Sequence, residues 1–224
     1  DAAGNKLRTV RKADIKDEPV SSSMTMVDDD RIKYHNFYNK EYPYTIEYES
    51  EVVKDESMFL PSWAPVPGRN ISVEQSTCTV IAPVDYLIRT KQYNFTNTPV
   101  VTVKGKEKYY TWSISQQPAL IKEYAAPAIH ELAPYISFGP SDFKLDNYSG
   151  SMRAWEDYGR FITAMNTGLG ELPQQIREKA NALIAGAKSD EEKVTRLYHF
   201  MQQNTHYIGI QLGVGGWRPF SASY

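Results

Sequence analysis

The sequence predicts an α+β fold in which an antiparallel β-sandwich-like domain is followed by a helical segment. From about residue 34 to residue 115, apolar and polar residues alternate in short runs, as they do in half-buried strands. From Ser151 onward, apolar residues recur at helical spacing instead. The stretch between these parts contains four prolines and no steady period. We therefore divide the chain into a β-rich domain over 1–115, an ordered crossover over 116–150 and a helical part over 151–224.

The composition is that of a globular protein without a strong charge bias. The 224 residues are 41% hydrophobic, which is enough to bury a core. The net charge of −2 gives no electrostatic basis for binding nucleic acid or an anionic membrane. No apolar run approaches the roughly 20 residues that cross a bilayer, so we expect no membrane-spanning segment.

Three segments of the β-rich part carry strand patterns before residue 96. In TIEYESEVV, Ile46, Tyr48 and Val52 alternate with glutamates, which predicts a half-buried strand. The segments RNISVEQSTCTVIAP (69–83) and DYLIRTKQYNF (85–95) predict two further strands with a turn between them.

The next segment, PVVTVKGKEKYYTWSIS, predicts a β-hairpin. Gly105 lies between two lysines at its centre, where a tight turn favours a residue without a Cβ. Tyr110, Trp112 and Ile114 alternate along the second strand and therefore share one face.

A proline-rich loop, MFLPSWAPVPGRN (58–70), interrupts the predicted strands. Its three prolines remove donors from any strand ladder and favour an extended chain. Trp63 in this loop has two interpretations: it covers one end of the sandwich, or it stacks against a ligand.

Three helices are predicted in the helical part. The first ends at Gly168, which supplies a left-handed stop, and the second begins at Pro173. The third begins after Ser189, with Glu192 three residues on as in a capping box. The stripes predicted to face the core are Trp155, Tyr158, Ile162 and Met165 in the first helix, Ile176, Ala180, Leu183 and Ile184 in the second, and Val194, Leu197, Tyr198 and Met201 in the third.

The titratable residues do not assemble a complete active site. His35, His130, His199 and His206 are scattered, and none has a second ligand at the spacing of a metal site. We expect no metal and no other cofactor. The single cysteine, Cys78, lies in a predicted strand, whereas a catalytic thiol needs an electropositive, partly exposed site beside a histidine.

The end of the chain resembles a known family. The segment KVTRLYHFMQQNTHYIGIQLGVGGWRPFSA, residues 193–222, is similar to the opening of the transglutaminase-like core, a papain-like fold, in bacterial envelope proteins that carry a DUF3857 domain. Upstream, YPYTIEYESEV and SWAPVPGRNISVEQSTCTVIAP resemble the β-rich DUF3857 domain itself. The resemblance covers nearly the whole chain and implies that the helical part begins a transglutaminase-like core.

The resemblance also implies where catalysis would lie. In that family a Gly-Asp-Cys motif follows the Gly-Gly-Trp turn, and a later His and Asp complete a triad. The sequence reaches Tyr224 before such a motif, so we expect the nucleophile beyond Tyr224 and both chain ends to be boundaries of a fragment. Tyr207, Trp217 and Pro219 match positions near the family's cleft. Trp217 lines a substrate channel or packs under the turn, and both possibilities stay open.

Three functional hypotheses follow from these observations. In the first, the chain is the non-catalytic N-terminal portion of a transglutaminase-like protein, and the parent is a cysteine peptidase or an amide-bond acyltransferase acting on protein or peptide. The resemblance implies export to the bacterial periplasm or cell envelope. In the alternative, the chain is a β-sandwich module that binds or scaffolds glycan or protein, with exposed aromatic residues such as Trp63 and Tyr44. A third possibility is a parent that has lost its nucleophile and acts as a scaffold.

Overall fold

The structure is a computed structural model that describes residues 1–20, 27–28, 31–206, 209–211 and 216–222. Its strands are β1 (Lys16–Pro19), β2 (Val27–Asp28), β3 (Arg31–Tyr34), β4 (Val73–Pro83), β5 (Arg89–Tyr93), β6 (Val100–Lys104), β7 (Glu107–Gln117), β8 (Tyr135–Gly139), β9 (Asp142–Leu145), β10 (Tyr148–Ser151) and β11 (Ile210–Gln211). Its helices are α1 (Ile129–Leu132), α2 (Trp155–Asn166), α3 (Gln174–Ile184) and α4 (Asp190–Asn204), and a 3-10 turn covers Lys12–Asp14. Antiparallel sheets followed by helices confirm the predicted α+β class.

The chain forms two compact units. One consists of Asp1–Val53 with Thr163–Tyr224, and the other of Lys54–Ile162. The first unit contains the β1–β3 pair, the short parallel β2–β11 pair and the helices α3 and α4. The second contains a three-stranded antiparallel sheet of order β4-β7-β6 and the pairs β5–β8 and β9–β10. The domain boundaries predicted at residues 115 and 150 stay predictions.

The predicted hairpin is confirmed. Strands β6 and β7 pair with Lys104 opposite Glu107, which leaves a two-residue loop. Gly105, the first residue of that loop, has a φ of +62°. Glycine adopts this conformation without steric cost, which explains its place in the tight turn.

The core of the second unit lies between its sheets. Trp112 of β7 packs with Ile136 and Phe138 of β8, and half-buried side chains of β4 surround them. Trp63 joins this core: its backbone exchanges two hydrogen bonds of 2.9 Å with Ile136. Its indole N–H donates to Ser76 Oγ at 3.1 Å. The interpretation of Trp63 as a structural cover is therefore confirmed.

The stretch between residues 116 and 150 is more regular than its sequence suggests. It contains α1, β8, β9 and most of β10. In β8, Ile136 and Phe138 are buried while the residues beside them are half-buried, as strand alternation requires. Pro134 and Pro140 lie immediately outside this strand and obscured a pattern only five residues long.

The strand predicted in TIEYESEVV is wrong. No regular element lies between Tyr34 and Val73, and the alternating residues Ile46, Tyr48 and Val52 are exposed. A strand requires a hydrogen-bonded neighbour, and none of the strands in the described ranges pairs with this segment. Alternation alone therefore does not make a strand.

The first predicted helix forms as α2, but part of its predicted stripe is wrong. Met165 is buried, as predicted, and Phe161 is buried although the prediction omitted it. Trp155, predicted to face the core, is 84% exposed. Trp155 lies in the first turn of α2, where it lines a cleft instead of packing against the core.

The Ser189 N-cap of α4 is confirmed, although the Glu192 carboxylate accepts from the Lys188 N–H rather than closing the predicted box on Ser189, and the predicted buried stripe is wrong. Ser189 Oγ accepts a hydrogen bond from the Glu192 N–H at 3.2 Å, and this bond satisfies a donor at the helix start. Val194, Tyr198 and Met201 are exposed. Helix α4 packs against α3 within the first unit, and that contact leaves these three side chains exposed. In the described part of the chain, every helix is too short or too polar to cross a membrane.

Candidate functional site

The main candidate site is a cavity of about 430 Å³ in the second unit, which we call the arginine–aromatic cleft. One side comes from the first residue of β5, and the other from the segment that joins β10 to α2 and from the first turn of α2. The lining residues are Arg89, Met152, Arg153, Ala154, Trp155 and Tyr158.

Hydrogen bonds to a buried serine hold the segment that forms the base of the cleft. The Met152 N–H donates to the Ser141 carbonyl at 2.7 Å. The Ser151 hydroxyl donates to the same carbonyl at 3.1 Å. Helix α2 then begins with the Ala154 N–H donating to Asp157 Oδ2 at 3.1 Å, which caps the helix and fixes the direction of its first turn.

The aromatic wall combines an exposed ring with a ring that is anchored in the core. The indole of Trp155 and the ring of Tyr158 lie edge to face, with centroids 6.2 Å apart. Behind Tyr158, Phe161 packs on Phe143 with ring centroids 4.8 Å apart. Both phenylalanines are buried. The wall is therefore held from behind, while its outer ring faces solvent.

The two arginines of the cleft have different electrostatic surroundings. Arg153 Nη2 lies 2.6 Å from Asp142 Oδ2, and this ion pair lowers the pKa of the Asp142 carboxyl. Arg89 Nη2 donates to the neutral Pro140 carbonyl at 3.2 Å. Among the ion pairs of the described residues, none involves Arg89. Among the described residues, the charge of Arg153 is thus compensated by a carboxylate, and that of Arg89 is not.

A second cavity, of about 330 Å³, lies at one end of the β4–β7 pair, and we call it the amide–hydroxyl cleft. Its lining residues are Gln75, Asn97, Ser113, Ile114, Ser115 and Gln117. The side-chain amide of Gln117 donates to the Ser115 carbonyl at 2.9 Å, and Gln75 lies opposite Ser115 in the ladder. Amide and hydroxyl groups both donate and accept hydrogen bonds, so this lining suits a neutral polar ligand.

The cysteine and the aromatic residues proposed from the sequence do not form a site. Cys78 lies in β4 opposite Trp112, and burial raises the pKa of its thiol. A raised pKa is the reverse of what a catalytic thiol needs. Trp63 is part of the core, and Tyr44 is half-buried with its hydroxyl donating to the Phe37 carbonyl at 3.2 Å. Neither ring is an exposed platform.

The three predicted cleft-lining residues stay untested. Tyr207 lies outside the described residues. Trp217 and Pro219 are described and exposed, and the Nε of Arg218, between them, donates to the Met165 carbonyl at 3.1 Å. Within the described ranges, no group of three or more His, Cys, Asp or Glu side chains is placed to hold a metal ion.

Sequence reasoning missed the arginine–aromatic cleft. The sequence does contain a signal for one wall of this cleft. Arg153, Trp155 and Tyr158 lie within six residues, and the two aromatic residues are one helical turn apart. The stripe prediction assigned both aromatics to the core instead. Arg89 comes from a distant strand, and its place in the cleft follows from the tertiary fold.

Comparisons with known proteins give one family and one similar structure. The family model described as a domain of unknown function with a solved structure, DUF3857, matches residues 1–121. A crystal structure from Parabacteroides distasonis, described as a "putative protease", is 14% identical with a TM-score of 0.41, over 72% of this chain and 30% of that one. The chain therefore spans about 30% of the length of that protein. No curated protein matches the chain.

The family match covers residues 1–121, more than half of the 224 residues, and includes the whole three-stranded β4-β7-β6 sheet. This chain therefore belongs to the DUF3857 family.

Proposed function

We propose that this chain is the non-catalytic N-terminal portion of a transglutaminase-like protein, and that its compact unit Lys54–Ile162 binds a protein or peptide substrate. The parent is a cysteine peptidase or an amide-bond acyltransferase exported to the bacterial envelope. The wording of residues 193–222, which resembles the opening of a transglutaminase-like core, supports the choice of parent.

The observation that carries the binding role is the composition of the arginine–aromatic cleft. Arginine and tryptophan side chains dominate the energetics of protein recognition surfaces, and here both line one cavity. Among the described residues that line it, none is a cysteine, a histidine or a carboxylate. Peptide-bond cleavage by the papain mechanism needs a thiolate and an imidazole, so the cleft is suited to holding a peptide rather than to cutting it.

Turnover assays with the 224-residue protein test the non-catalytic role. We expect neither peptide hydrolysis nor glutamine–lysine crosslinking above the rate without protein, with or without reductant. The matched control is Cys78→Ser, which removes the single thiol of the chain. Thiol-dependent hydrolysis by the unaltered protein that is lost in Cys78→Ser would overturn the proposal, because the chain would then contain its own nucleophile.

The amide–hydroxyl cleft favours the alternative, a glycan-binding module. Its side chains offer paired donors and acceptors without charge, which is the chemistry that sugar hydroxyls require. Titration with neutral oligosaccharides tests this role. Saturable binding that is weakened by Asn97→Ala and unchanged by Arg89→Gln would support it, and the absence of saturable binding would exclude it.

A further inference from the structure

We infer that the arginine–aromatic cleft recognises an acidic peptide segment, in which a carboxylate engages Arg89 and a neighbouring aromatic or apolar side chain packs on Trp155. This inference rests on the proposed peptide-binding role and names the class of peptide. The carboxylate belongs to a glutamate or aspartate side chain or to a peptide C-terminus, since all three present the same group.

Arg89 carries a charge that no carboxylate in the described ranges neutralises. A guanidinium carries five N–H donors, and the hydrogen bond to the Pro140 carbonyl uses one of them and orients the group without neutralising it. The neighbouring carboxylate of Asp142 is already paired with Arg153. An incoming carboxylate can therefore accept two parallel hydrogen bonds from Arg89, the geometry that arginine forms with carboxylates in general.

The indole of Trp155 is exposed and can pack against a ligand side chain. At 84% exposure this ring leaves a large apolar surface in contact with water, although it stands on a helix whose opposite face is buried. Met152 and Ala154 extend the apolar surface along the cleft. A side chain that follows the acidic residue would cover this surface, and burial of apolar area would then add to the charge contact.

The size of the cleft suits a short peptide, and the net charge of the chain does not by itself favour an acidic one. A volume of about 430 Å³ lies within the range of small-ligand sites, about 300–1,000 Å³, and accommodates a short peptide segment. The net charge of −2 does not attract acidic ligands from a distance. Recognition of a carboxylate must therefore come from the local contact with Arg89.

The test is isothermal titration of the 224-residue protein with three hexapeptides that differ at one position and are acetylated at the N-terminus and amidated at the C-terminus, so that the varied side chain is the only possible carboxylate. The central pair is Glu-Phe in the first, Gln-Phe in the second and Lys-Phe in the third. We expect the Glu-Phe peptide to bind about tenfold more tightly than the Gln-Phe peptide, because charge-assisted hydrogen bonds are about twice as strong as neutral ones and the difference in free energy corresponds to about tenfold in affinity. The Lys-Phe peptide should bind most weakly.

Two variants and one control locate the contact. Arg89→Gln should reduce the affinity for the Glu-Phe peptide to that for the Gln-Phe peptide, and Trp155→Ala should weaken both peptides. Arg177→Gln is the control: Arg177 is an exposed arginine of the first unit that pairs with Glu171 and does not line the cleft, so this variant should bind as the unaltered protein does. Arg89 and Trp155 are exposed, so circular dichroism and thermal unfolding should show that both variants fold.

Each outcome decides the inference. Equal binding of the three peptides, or a preference for the Glu-Phe peptide that survives in Arg89→Gln, overturns the acidic specificity and leaves the peptide-binding role intact. If no peptide binds, both the inference and that role fail. Binding of an acidic oligosaccharide such as an oligogalacturonate, without binding of any peptide, assigns the carboxylate to a sugar and also overturns the inference.

Discussion

The guanidinium of Arg153 contacts both carboxylate oxygens of Asp142, with Nη2 2.6 Å from Oδ2 and Nε 3.2 Å from each oxygen. This forked contact ties the start of β9 to the segment that leads into α2. Trp155 follows two residues later, so the ion pair helps to set the position of the aromatic wall of the cleft.

The Asp142–Arg153 pair predicts a pH dependence of stability. The hydrogen bond from Arg153 holds the pKa of the folded Asp142 carboxyl below its unfolded value, so the pair stabilises the fold above the unfolded pKa of about 3.9. This contribution is lost as the pH falls through the folded pKa. We expect the melting temperature of Asp142→Asn to fall less steeply than that of the unaltered protein between about pH 5 and pH 2.5.

Asp85→Asn is the matched control for that measurement. Asp85 is exposed, and within the described residues it forms no ion pair. Its variant should follow the pH profile of the unaltered protein. Parallel profiles for Asp142→Asn and the unaltered protein would contradict the role given to the pair.

Gly150 is predicted to be intolerant of a methyl group. A Cβ at this position would lie 2.5 Å from Phe143 Cζ and 2.7 Å from Phe161 Cδ2, within the ring pair that supports the cleft wall. Gly150→Ala should therefore destabilise the protein by about 1–3 kcal/mol, measured by urea unfolding.

Gly159→Ala is the matched comparison, and it should raise the free energy of unfolding where Gly150→Ala lowers it. Gly159 lies within α2, and among the described residues no heavy atom outside its own helix backbone lies within 4 Å of the place that an alanine methyl group would occupy. Alanine is the better helix former, so this variant should gain about 0.5–1 kcal/mol. Equal effects of the two substitutions would show that the Phe143–Phe161 contact does not restrict position 150.

Trp112 is predicted to tolerate phenylalanine better than its burial suggests. The side chain is 2% exposed, and its indole N–H finds no hydrogen-bond acceptor in the described part of the protein. Trp112→Phe removes an unsatisfied donor that costs about 1–3 kcal/mol, and this gain offsets part of the lost packing. In urea unfolding, Trp112→Ala should cost about 3–5 kcal/mol and Trp112→Phe less than about 1.5 kcal/mol. A similar loss in both variants would contradict this prediction.

Cys78 is predicted to react slowly while the protein is folded. Burial raises the pKa of its thiol and restricts access to it, so little thiolate is available. With Ellman's reagent at pH 8, we expect the folded protein to react more than about tenfold more slowly than the protein in 6 M guanidinium chloride. Equal rates in the two states would show an accessible thiol and would reopen Cys78 as a nucleophile.

Features that depend on adjacent residues could be predicted from the sequence. The hairpin follows from Gly105 between two alternating runs, and the start of α4 follows from Ser189 and its bond to Glu192. Both depend on contacts within a few residues, which the sequence displays directly.

Features that depend on a distant partner could not be predicted in the same way. Ile46 and Tyr48 alternate with glutamates as strand residues do, yet no described strand pairs with them. Trp155 has helical spacing with Met165, yet it lies beside a cleft and not against the core. Arg89 reaches that cleft only through the pairing of β5 with β8, which no local motif encodes.

The intact mass of the protein isolated from its natural host tests the central claim most directly. If the chain is the non-catalytic portion of a transglutaminase-like protein, the mass should be well above the 25.5 kDa of these 224 residues, and the additional sequence should contain a cysteine that follows a Gly-Asp pair. A mass equal to 25.5 kDa would contradict the claim, because no residues would remain to supply the nucleophile.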